Sequence, residues 1–140
     1  MTVTSFDPFD HLAAAATGCL EAQRALADSA IQMVLAGCDA DPVTTLSEGL
    51  IFARLAAAHG DVSDDERLVG MLTITAFLSG EDGAAELRGE AMARVAMLAD
   101  AGVEAAEFQL ASDADQATPE IMALAQAYRG RMMKTEKATA

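Results

Sequence analysis

The chain has 140 residues and sets 22 acidic side chains against nine Lys plus Arg, a formal net charge of −13. Just over half of it is hydrophobic by an inclusive count (52%), aromatics are 4% and Trp is absent, so any core must be aliphatic and closely spaced. That balance excludes a disordered chain, which lacks so much apolar surface, and a β-sandwich, which draws on Val, Ile, Thr and aromatics. It also disfavours nucleic-acid binding, because the surface repels phosphate.

Thirty-two residues are Ala, the best helix former and a side chain that lets helices approach closely. The expected class is therefore all-α, and helix punctuation places seven elements in order. Asp7-Pro8 reads as an N-cap with proline at the first helical position and starts a helix over 8–17. Gly18 ends it, and a second helix over 19–36 runs to Gly37. Asp41-Pro42 opens a third over 43–59, closed by Gly60. Ser63 with Glu66 has the spacing of a capping box and opens a fourth over 64–79, closed by Gly80. A fifth spans 84–101, closed by Gly102, and a sixth 103–112. Thr118-Pro119 opens the seventh, over 119–133, and 134–140 is expected to be a flexible basic tail. Apolar residues recur at helical spacing in the rows Leu26, Ala30, Val34; Ala27, Ile31, Leu35; Leu68, Leu72, Ala76; and Ala91, Val95, Ala99.

A register of 42 residues runs through these elements. Gly18, Gly60 and Gly102 are each followed eight positions later by a leucine, namely Leu26, Leu68 and Leu110. Glu48 matches Glu90, Leu50 matches Met92 and Ala57 matches Ala99 at the same offset. Read as an internal repeat, this makes a single domain over 1–140 with units near 18–59, 60–101 and 102–133, preceded by a capping helix at 8–17. Each unit is a helical hairpin that buries its apolar sides only by stacking on neighbours, the logic of a solenoid. Leu26, Leu68 and Leu110 are expected at equivalent buried places.

The segments Leu55-Ala-Ala-Ala-His-Gly60 and Leu98-Ala-Asp-Ala-Gly102, with the following Ala-x3-Leu, resemble the SLR family, the Sel-one-like repeats of the tetratricopeptide-like superfamily. Phe52 stands at that motif's aromatic position, Gly49 at its small position, Ala56-Ala57 at its Ala pair, and Ala22 and Ala106 at its helix-start Ala. Arg94 replaces the aromatic in the second unit, and the Gly-x-Gly loop is missing. The resemblance implies a right-handed α/α superhelix that holds other proteins, with the first helix of each hairpin lining the concave side. On those first helices Arg24, Asp28, Gln32, Arg67, Thr73 and Thr75 are the polar residues nominated to meet a partner. Replacing Arg24 and Arg67 together is expected to leave stability nearly unchanged.

Chemistry-bearing patterns are sparse. His11 and His59 are the only histidines, and His59 reads as a cap on a helix C-terminus. Cys19 and Cys38 bracket one helix at about 28 Å for about 1.5 Å of rise per residue, so both are expected to be free thiols. Zinc-ligand spacing, calcium loops, nucleophile elbows and phosphate loops are missing. The acid pairs Asp64-Asp65 and Glu81-Asp82 read as helix-start acids. Most of the eight methionines, among them Met33, Met71, Met92 and Met97, are expected to fill the core. The N-terminus has acids where a signal peptide has bases, and no apolar run spans a bilayer, so a cytoplasmic location is expected.

The expectation that follows is a non-enzymatic protein-interaction scaffold or adaptor, with no cofactor, metal, nucleic acid or membrane and with its oligomeric state open. The alternative is a small acidic inhibitor of the immunity or antitoxin kind that masks a basic protein. Residues 1–128 carry five bases against 21 acids, whereas the last twelve carry four bases against one acid.

Overall fold

A computed structural model of the chain describes residues 8–37, 39–80 and 83–139, with side chains placed at 10–37, 39–80 and 83–134. Among these residues seven helices follow one another and no strand occurs. They are α1 (Pro8–Ala16), α2 (Leu20–Leu35), α3 (Pro42–Ala57), α4 (Val62–Ser79), α5 (Ala84–Asp100), α6 (Glu104–Gln116) and α7 (Pro119–Thr139).

Every described helix starts within two residues of its expected place, and two of the starts carry the caps read from the sequence. The Asp41 carboxylate accepts the Thr44 N–H at 3.2 Å and the Thr44 hydroxyl at 2.7 Å. The Thr118 hydroxyl oxygen accepts the Ile121 N–H at 3.2 Å. Asp7, proposed to cap α1, lies outside the described residues, as do Cys38 and the pair Glu81-Asp82.

Three expectations are corrected here. The acceptor at the start of α4 is Asp61 rather than Ser63. Its Oδ1 takes the Ser63 N–H at 2.9 Å and the Ser63 hydroxyl at 2.8 Å, so Ser63 donates instead of capping. Next, α6 runs four residues past its expected end. Asp113-Ala-Asp-Gln contains no breaker, and the chain leaves the helix only at Ala117 (φ −74°, ψ 135°), just before the Thr118-Pro119 step that disfavours helical backbone. Last, α7 continues through Thr139, so the expected basic tail is helical over 134–139.

The Asp41 carboxyl is held below its ordinary range, chiefly by the Thr44 hydroxyl and N–H. Asp61 is lowered likewise, chiefly by the Ser63 N–H and hydroxyl, with Arg24 adding to it. A carboxyl whose folded pKa lies below its unfolded value of about 3.9 stabilises the fold fully above that pH. The contribution is lost as pH falls through the lower, folded value. Acid titration followed by circular dichroism should therefore show helix loss setting in below about pH 4, and Asp41→Asn with Asp61→Asn should flatten that limb. An unchanged acid limb would show that other carboxyls govern it.

Helix ends at Gly18, Gly60 and Gly102 share one geometry. Their φ angles are +100°, +97° and +90°, a left-handed backbone that only glycine adopts without a Cβ penalty. Each N–H donates three residues back, to Ala15 O at 3.1 Å, Ala57 O at 3.0 Å and Ala99 O at 3.0 Å. The first and third junctions agree further. Cys19 N–H reaches Ala14 O and Val103 N–H reaches Leu98 O, both at 3.0 Å, the longer bond of a Schellman ending. Cys19 (φ −70°, ψ 111°) and Val103 (φ −75°, ψ 107°) then lead into the next helix with no side-chain cap.

The chain divides into two compact units, residues 1–64 and 65–140, a division that falls inside α4. In the first, α2 packs against α1 and α3. Its buried residues are largely alanines (Ala15, Ala22, Ala27, Ala30, Ala53, Ala56, Ala57) around Leu46 and Leu50, which is the close, aliphatic core that the composition demands. Leu26 is only half-buried, and the row Ala27, Ile31, Leu35 runs out to an exposed Leu35. Met33 is exposed too, against expectation, because it lies on the outer face of α2.

In the second unit α5 is central, packed against α6 and α7. Met92 and Ala93 of α5 form one buried cluster with Ile121 and Ala125 of α7, with Leu110, Met122, Tyr128 and Met132 partly buried around it. Val95 and Leu98 form a second with Ala106 of α6, against which Val69 of α4 and Leu110 pack. Leu68, Met71, Leu72 and Ala76 are buried on α4. The crossing of α5 and α7 is close enough that a Cβ added to Gly89 would lie 2.7 Å from Leu124 Cβ and 3.3 Å from the backbone of Leu124 and Ala125.

Candidate functional site

In the second unit one helix face after another opens on a groove of about 320 Å³. Each element contributes residues spaced by three or four, as a helix must when it shows one side. They are Thr73 and Phe77 from α4, Arg88, Ala91 and Met92 from α5, and Gln109, Ser112, Asp113 and Gln116 from α6; Ala117 and Ile121 close the end. The volume suits a side chain or short segment of a ligand.

The floor is apolar, built on the buried Met92 and Ile121. Phe77 stands beside it with 78% of its surface exposed, an unusual position for the largest apolar side chain on α4. The rim is polar. Gln109 Nε2 donates to Asp113 Oδ1 at 2.8 Å, which fixes both on the α6 side. The Thr73 hydroxyl donates to Val69 O at 2.8 Å, so it offers acceptor capacity to the groove rather than its proton. Arg88 is exposed on the α5 side. The lining is an apolar seat with amides, hydroxyls, a carboxylate and a guanidinium around it.

Of the six residues nominated from sequence, Thr73 alone lines this groove. Thr75 is buried at 1% exposure and its hydroxyl donates to Met71 O at 2.6 Å, so it is unable to meet a partner. Gln32 is exposed, while Asp28 and Arg67 are half-buried and engaged within the chain.

Arg24 is engaged within the chain while its side chain stays 32% exposed. Its Nε donates to Asp64 Oδ1 at 2.8 Å and its Nη2 to Asp64 Oδ2 at 2.7 Å, with Asp61 at 3.4 Å. Asp64 has no accessible surface, so this fork neutralises a buried carboxylate, and the hydrogen bond to Asp64 raises the already high guanidinium pKa. Asp64 is thus not a solvated helix-start acid, and Asp65 is engaged too, by Arg94 Nη1 at 3.2 Å. The neighbouring Gln23 is buried; its Nε2 donates to Ala15 O at 3.1 Å and its Oε1 accepts from His59 Nε2 at 3.1 Å. His59 therefore serves α2 rather than a carbonyl of its own helix. Gln23 and Arg24, consecutive residues of α2, hold the α3–α4 turn at His59 and Asp61 and the first turn of α4 at Asp64.

Arg24→Ala should lower the urea midpoint of unfolding, since removing one partner strands a buried charge. Arg24→Lys should recover only part of that loss, because an ammonium lacks the two-pronged donor geometry. A midpoint unmoved by Arg24→Ala would show that Asp64 is satisfied without the guanidinium.

A second depression of about 290 Å³ is lined by Asp10, His11, Ala14, Cys19, Glu21 and Ala22. It brings the free, exposed Cys19 thiol and one of the two imidazoles to the same place. Among the described residues no group of three or more His, Cys, Asp and Glu is placed to hold a metal ion. No described helix is long and apolar enough to cross a membrane.

No protein-family model, curated protein or solved structure matches this chain.

Proposed function

We propose that this protein is a non-enzymatic scaffold of the α/α helical-repeat kind, acting in the cytoplasm, whose groove between α4, α5, α6 and the start of α7 holds a segment of another polypeptide. The observation that carries the reading is the groove's lining: a buried apolar floor of Met92 and Ile121 beside the exposed Phe77, ringed by hydrogen-bonding side chains. Such a seat takes an apolar anchor while the rim meets peptide amides. The repeat reading is supported by the shared backbone of Gly18, Gly60 and Gly102 and by burial of Ala22, Ala56, Ala57 and Ala106, which match Ala positions of the Sel-one-like motif. Six of the eleven lining residues come from α4 and α6, first helices of their hairpins in that reading.

The test is site-specific photo-cross-linking in cells, with a benzophenone side chain at Phe77 and, for comparison, at Phe108, which is similarly exposed at 73% but outside the groove. Defined polypeptide adducts at position 77 that are lost with Met92→Glu, in a variant shown to keep its helicity, are the expected result. Equal, diffuse labelling at both positions would end the scaffold reading.

A second reading, an acidic inhibitor that masks one basic protein, is favoured by the net charge of −13. It requires a single stoichiometric partner, whereas a scaffold forms several modest complexes.

A further inference from the structure

We draw no further inference here: the strongest candidate, the groove between α4, α5, α6 and the start of α7, belongs to the site already described, and its lining sets Arg88 against Asp113, so nothing in the structure shows what covers it.

Discussion

Truncating Leu68 to alanine is expected to cost about 2–5 kcal/mol of folding stability, the range for a leucine that loses a complete set of core contacts. Leu68 has no accessible surface, and Leu72 and Ala76 continue its row along α4, also buried. Its counterparts in the 42-residue register differ. Leu26 and Leu110 are half-buried, so less apolar surface leaves water at either, and their truncation should cost distinctly less. Urea unfolding at constant denaturant dependence separates the three variants. A Leu68→Ala loss no greater than the other two would mean that the site collapses around the smaller side chain. The expectation from sequence that all three leucines are equally buried is corrected by this difference, although their glycine junctions share a backbone.

Gly89→Ala should destabilise the protein by about 1–2 kcal/mol, against the ordinary trend for helices. Alanine is the better helix former by about 1 kcal/mol. At Gly89, however, the new methyl group would sit 2.7 Å from Leu124 Cβ and 3.3 Å from the backbone of Leu124 and Ala125. None of these atoms is the movable tip of a side chain, so α7 must shift away from α5, and overpacking of that kind costs about 1–3 kcal/mol. Gly70 on α4 is the control: it is helical and exposed, with nothing within 4 Å of an added Cβ. Gly70→Ala should stabilise by about 0.5–1 kcal/mol. Thermal melts of the two variants should move in opposite directions, and a shift of the same sign in both would refute the close crossing. The crossing also matters for the groove. Met92 and Ile121, which form its floor, lie three residues from Gly89 and from Leu124 on the two helices concerned. Separating α5 from α7 should therefore weaken any ligand that depends on that floor.

Much of the helical layout was legible without coordinates. Asp41-Pro42, Thr118-Pro119 and the glycines at 18, 37, 60, 80 and 102 mark starts and stops, and all five glycines carry positive φ. The groove was not legible as a whole. Thr73 was nominated, but Gln109, Ser112, Asp113 and Gln116 were passed over, although their spacing places them on one face of α6. The burial of Thr75 and the Arg24–Asp64 pairing are not legible from sequence, because a polar residue on a helix does not announce whether it turns outward or meets a partner inside.

The sequence by itself determined where the helices begin and where α1 to α5 end at a glycine, since a cap or a left-handed glycine acts on backbone groups within about four residues of itself; the ends of α6 and α7, which no glycine marks, it did not. It determined the aliphatic, alanine-rich character of the core and the acidity of α6 as well. The tertiary structure alone decided that Arg24 reaches Asp64 forty residues away, that Gln23 meets His59, that Gly89 faces Leu124, and that faces of α4, α5, α6 and α7 converge on one groove. Those pairings depend on the angles at which helices return and pack. Such angles are set by the summed fit of many weak side-chain contacts, none of which is encoded within any one helix.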